Sequence, residues 1–299
     1  MKNSVSGRTA WLISAGGAAL AAALLRRWQL ASAFEPDSGL AIPGAQASVI
    51  LTCVVVMAGA WFILLALRQP PDPACRWDMV FLGTGDPVFP GLEAAAALLA
   101  LLAVPVLFVV GVGQFQLYQA ALDAGVQPPS NNGMLTLATA AGSLLAALGL
   151  LQMGRDGLPG VAGCVWLMES FRAHAANPVL WDYAPQLIAI VAGMAFYMDF
   201  AGMSAGSPRP RRLLWLAGMS AILSAASLVS TLAELSLIAG RPDGTLCTAE
   251  LGDALLLLSQ ILAAAGVLWR LPPNLEHPPE RPEAGPDPIQ EIQEETRDE

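Results

Sequence analysis

Five side chains able to hydrogen-bond or exchange protons recur along one short stretch of this sequence. Ser220, Ser224, Ser227, Thr231 and Glu234 stand at offsets 0, 4, 7, 11 and 14. At about 100° per residue these positions fall within about 40° of one line down a helix, so hydroxyls and a carboxylate share a stripe. Two chemistries suit it. One is a hydrated path with Glu234 as a proton or cation site; the other is a close helix contact in which small hydroxylated residues hydrogen-bond to a neighbour.

A second stripe comprises Asp182, Gln186, Ala189, Gly193 and Tyr197, at offsets 0, 4, 7, 11 and 15, with Asp199 about 100° round the helix from Asp182. Asp182 follows Asn177 and Pro178 and lies between Trp181 and Tyr183. It reads either as a ligand carboxylate or as part of a turn anchored by interfacial aromatics. Glu169 and Arg172, three residues apart, are spaced to neutralise one another as an intramembrane ion pair, with His174 just beyond. Glu250 and Asp253 follow Thr248, as in a helix start with a capping hydroxyl and dipole-favoured acids.

Other chemistries are excluded by inventory. Cys53, Cys75, Cys164 and Cys247 form no C-x-x-C pair, and the histidines are His174 and His277, which leaves no zinc, haem or bis-histidine ligand set. No metal or cofactor is expected. A G-x-S-x-G turn and a phosphate-binding loop are both missing, so an enzyme or a self-contained nucleotide-driven motor is not the expectation. Basic residues are scattered, which argues against nucleic acid as a partner.

The elements that must position these residues are long apolar helices. Of 299 residues, 55% are apolar and 13% charged, about half the charge of a soluble domain. Crossing about 30 Å of hydrocarbon takes roughly 20 helical residues. By that standard the sequence predicts an all-α, polytopic membrane bundle of about eight spans, near residues 9–27, 47–67, 93–119, 134–153, 157–173, 183–205, 213–238 and 250–269. The number falls to seven if 157–173 is re-entrant, because only Leu158 to Met168 is free of charge, or if the first span is cleaved as a signal peptide at the Ala31-Ser32-Ala33 triplet. Arg26 and Arg27, just before that triplet, argue for retention and are expected to snorkel to the interface.

Net charge is −9, yet residues 272–299 alone hold nine acids and two arginines, a net of −7. The chain therefore divides into a nearly neutral membrane domain, 1–271, and an acidic, proline-rich tail, 272–299, expected to be disordered. Eight spans put nine basic residues on the side of the termini and four opposite, so the positive-inside rule places both termini in the cytoplasm.

The segment Ala176 to Tyr183, the run Pro208-Arg209-Pro210-Arg211-Arg212, and the turn Glu35-Pro36-Asp37-Ser38-Gly39-Leu40 resemble segments of uncharacterised bacterial multi-span membrane proteins, over about fifty residues in all. The resemblance implies a bacterial inner-membrane protein and carries no activity. Two function classes follow from the residues. The first is a small solute or ion carrier, or a permease subunit, with a polar interior between spans six and seven. The second is a non-transporting assembly factor, sensor or scaffold whose polar stripes only pack helices. Beyond the lipid bilayer, a protein partner or a second copy of the chain is left open.

Overall fold

Alanine, leucine and glycine dominate the apolar runs, and with no water to satisfy the backbone such runs bury their amides as helices. The computed structural model describes residues 2–35, 40–69, 80–81, 86–129, 131–152, 156–175, 180–239 and 248–276. Among the described residues eight helices with defined bounds follow one another: α1 Lys2–Ser32, α2 Gln46–Arg68, α3 Val88–Asp123, α4 Met134–Leu151, α5 Leu158–His174, α6 Leu180–Ser204, α7 Pro210–Ala239 and α8 Ala249–Glu276. Among the described residues the only β pairing is an isolated antiparallel bridge between Phe34 and Ala41.

Among the described residues seven helices are long and apolar enough to cross a membrane. The exception is α5, at 17 residues. It nevertheless runs antiparallel to α4 along most of its length. Pro159 at its start packs on Gly149 near the end of α4, and Glu169 in its last turns reaches Thr136 at the start of α4. Large apolar side chains such as Ile13, Leu20, Val56, Leu98, Phe108 and Leu117 face outward from α1, α2 and α3. Water would oppose that surface and lipid does not, which is the build of a multi-pass membrane protein.

The most buried helices are α7 and α8, and α1 is the least. α8 packs on α1, α3 and α7, and closes against α3 through two small contacts: Leu107 of α3 fills the face of Gly252, and Ser259 Oγ donates to the Ala96 carbonyl at 2.8 Å. This places α8 where its polar residues meet several helices at once.

Three sequence expectations shift. α3 begins at Val88, so Glu93 lies inside it, more than one turn from its start. α8 runs on to Glu276, through Pro272 and Pro273, where the tail was expected to start. Burial of Leu271 and Leu275 holds that turn, together with Arg270 Nε and Asn274 Nδ2, which both donate to the Val80 carbonyl. Residues 277–299 lie outside the described residues. Finally, Arg26 does not snorkel: it is fully buried, with Nε donating to Ser230 Oγ of α7 at 2.8 Å and Nη1 to Gln29 Oε1 at 2.7 Å. Two side-chain acceptors inside the bundle replace the hydration it would have sought at the interface.

A clasp ties the helices at the end where α1 begins and α8 ends. Asp86, just before α3, accepts from the Val88 amide at 3.0 Å and Trp269 Nε1 at 2.9 Å, with Arg8 and Arg270 each 3.8 Å away. Arg8 also lies over the Trp269 ring, 4.5 Å from its centroid. Burial pushes the Asp86 carboxyl up, but the two N–H donors and the two guanidinium charges together outweigh it and hold the group below its ordinary value.

Candidate functional site

Two carboxyl groups approach one another at the end of the bundle opposite the clasp. Glu169 comes from α5 and Asp253 from α8, and the charged neighbours of Glu169 are acids, Asp253 and Glu250. Asp253, half-buried, accepts from Trp166 Nε1 at 2.7 Å and Gln186 Nε2 at 2.8 Å, so α5 and α6 orient both its oxygens. Glu169 is 5% exposed and its Oε1 lies 3.2 Å from Thr136 Oγ1, which is also 2.9 Å from Gln114 Oε1. One hydroxyl proton cannot serve both acceptors, so this corner holds more acceptors than the described donors satisfy. His174, whose ring stacks on Tyr183 at 5.0 Å, interacts electrostatically with Asp253.

Behind the carboxyls lies a cavity of about 40 Å³ lined by Trp166, Thr139, Ser143, Tyr197, Ser259 and Gln260 among others. On this measure a water needs about 10–15 Å³, so the space suits a few waters or one small cation and no larger solute. Thr139 and Ser143 send their protons back to the Leu135 and Thr139 carbonyls, at 3.0 and 2.8 Å, which leaves oxygen lone pairs free to face the cavity. Gln260 crosses between helices: its Nε2 donates to the Ala189 carbonyl of α6 at 2.9 Å and to Ser220 Oγ of α7 at 2.9 Å.

Farther along lies a third acid. Glu93 of α3 is 1% exposed, and neither of its oxygens has a hydrogen-bond partner among the described residues. It faces Gly266 of α8, where an ideal Cβ would sit 3.3 Å from Glu93 Oε1, and it is electrostatically coupled to Tyr197, which also lines the cavity. Thirteen residues separate Asp253 from Gly266, about 20 Å along α8. Polar groups therefore recur along the interior, with Glu169 and Asp253 at one end, Glu93 at the other, and between them a largely apolar cavity that none of the three acids lines.

The expected site residues divide across this arrangement. Ser220, Ser224, Ser227 and Thr231 are buried on one face of α7 as the periodicity requires. Glu234, at the end of that stripe, is exposed. Ser220 serves Gln260, and Thr231 Oγ1 donates to the Ser227 carbonyl of its own helix at 3.2 Å, both structural uses. In the α6 stripe Gln186 holds Asp253 and Tyr197 lines the cavity, whereas the side chain of Asp182 lies outside the described residues. Of the expected Glu169 and Arg172 pair, Glu169 is buried and meets Thr136, while Arg172 is exposed. Asp199 pairs with Arg212 of α7 at 2.8 Å, near the clasp end.

Sequence reasoning had assigned Asp253 to a helix cap and passed over Glu93, Trp166, Thr136 and Gln260. Glu93 stood at the first residue of a predicted span, where an acid looks interfacial. The signal that could have found it is the run Asp86-Pro87, which starts a helix well before the apolar segment. Among the described residues no group of three or more His, Cys, Asp or Glu side chains could hold a metal ion. No protein-family model matches this chain, and no curated protein or solved structure matches it.

Proposed function

We propose that the chain is a carrier for protons or a small monovalent cation, working through the polar interior bounded by Glu169 and Asp253. One observation carries the reading: two carboxyls from different helices, the buried Glu169 and the half-buried Asp253, lie close enough inside an apolar bundle to act on one another electrostatically, and Trp166 and Gln186 fix Asp253 in place. Like charges in a poorly hydrated interior repel, and a bound proton or cation between them relieves the repulsion. The size of the cavity behind them, about 40 Å³, selects a ligand of a few atoms at most. The excess of basic residues on the side of the termini supports cytoplasmic termini, and the resemblance to bacterial multi-span proteins supports an inner membrane.

A scaffold without transport is the second reading. It is favoured by the α7 stripe, whose Ser220 and Thr231 hydroxyls are spent on Gln260 and on the helix itself. Purified protein in proteoliposomes separates the two. Proton, sodium, potassium and ammonium gradients are imposed in turn, with flux read by an internal pH dye and by currents on a solid-supported membrane. The carrier reading expects flux for at least one of these, reduced about tenfold or more in Asp253→Asn and Glu169→Gln, the effect of losing one charge-assisted contact. Flux absent for all four ions, or equal in wild type and both variants, establishes the scaffold.

A further inference from the structure

We propose that Glu93 is a second, separate proton-binding site, occluded in this conformation between an aromatic plug and the cavity. The inference stands on Glu93 and its surroundings and holds whether or not the Asp253 end loads a cation.

The surroundings of Glu93 leave it few options. Both oxygens are buried without a described donor. Leaving an ionised carboxylate in that state costs several kcal/mol even after relaxation, so the group must take up a cation or a proton. A sodium or potassium ion needs several oxygen ligands. Neither Glu93 oxygen has a hydrogen-bond partner among the described residues; the carboxyl shares the face of Gly266 with Phe89 and Leu92, and Tyr197 is the titratable group of α6 that interacts with it. The charged groups at the clasp end of the adjoining elements are engaged elsewhere, Arg270 of α8 and Arg8 of α1 with Asp86 and Asp199 of α6 with Arg212 of α7, and Asp253 lies about 20 Å farther along α8. A proton satisfies the carboxyl alone.

Access is asymmetric. Toward the clasp end, Phe81, Phe89 and Phe200 pack ring against ring, at centroid distances of 4.9, 5.2 and 6.5 Å, and all three are almost fully buried. Phe89 is one turn before Glu93 on α3, so the aromatic cluster lies between the carboxyl and that end of the bundle. On the opposite side stands Tyr197, which lines the cavity and acts electrostatically on Glu93 without hydrogen-bonding to it. A phenol both donates and accepts, so a small movement that joins it to the carboxyl lets it pass a proton from cavity water. Glu93 is thus occluded here, with Tyr197 as the step toward the cavity and the aromatic cluster as the barrier toward the clasp.

Infrared spectroscopy of the full chain in lipid nanodiscs tests this without any transport assay. A protonated carboxyl gives a carbonyl stretch above the amide band, and exchange into heavy water shifts it. Near neutral pH the wild type should show such a band, and Glu93→Gln should lose it with helical content unchanged. The Glu169→Gln, Asp253→Asn double variant should keep it, which separates this site from the cation-loading end and serves also if Glu93→Gln does not fold. Tyr197→Phe should slow the deuterium shift about tenfold, and Phe200→Ala should speed it. The inference is overturned if Glu93→Gln retains every wild-type carboxyl band, if the double variant loses the band, or if sodium or potassium chloride at fixed pH abolishes it.

Discussion

Gly193 and Gln260 form the contact on which the polar interior depends most directly. An ideal Cβ on Gly193 would collide with the Gln260 carboxamide, and that carboxamide is itself fixed by the Ala189 carbonyl and Ser220 Oγ. In Gly193→Ala the methyl must either strain the α6 to α8 contact, at about 1–3 kcal/mol, or expel Gln260 and lose two hydrogen bonds of about 1 kcal/mol each. Alanine returns about 1 kcal/mol through helix propensity. Since strain and expulsion are alternatives, the cheaper one governs and the net cost is about 0–1 kcal/mol. In a Gln260→Ala background the collision is gone and only the propensity gain remains, so Gly193→Ala should there stabilise by up to about 1 kcal/mol. The two substitutions should therefore couple by about 1–2 kcal/mol. Reversible unfolding in mixed micelles, followed by circular dichroism across the four proteins of the cycle, measures this. An equal effect of Gly193→Ala in both backgrounds would refute the close packing of Gln260 over Gly193.

Three further outcomes follow from other contacts. Trp166→Phe removes the indole donor to Asp253 and should lower stability by about 1.5–3 kcal/mol, and Asp253→Asn should blunt that loss in the same unfolding assay. Asp86 has a folded value below its unfolded one, so the clasp contributes stability above the ordinary carboxylate range near about 3.9 and loses it as pH falls through the folded value. Unfolding of wild type and Asp86→Asn should differ near neutrality by no more than about 1 kcal/mol, given the partial exposure of the pair, and should converge in acid; a gap that persists in strong acid contradicts the clasp. Gly133 has φ of 74° and its Cβ position is filled by the Gly111 carbonyl and the Phe115 amide, so Gly133→Ala should destabilise the α3 to α4 turn by more than about 1 kcal/mol in a thermal melt.

The class of this protein was legible in the sequence because the bilayer imposes a length and an apolarity that any sufficient run of residues displays. The α7 stripe was legible too, since helical periodicity places Ser220, Ser224, Ser227 and Thr231 on one face, and all four are buried. Periodicity gives a face but not what that face meets. Ser220 meets Gln260, 40 residues away, Glu169 meets Thr136, and Asp253 meets Trp166, 87 residues away. Nor does a sequence tell how deep an acid lies: Glu93 and Asp253 both stood near the ends of apolar runs, one becoming fully buried and the other half-buried. Depth depends on how far each helix extends and which neighbours cover it. The apolar lengths determined the solvent and the helices; the packing of α8 against α1, α3 and α7 decided which few polar groups share an interior, because burial is a property of neighbours and not of the chain.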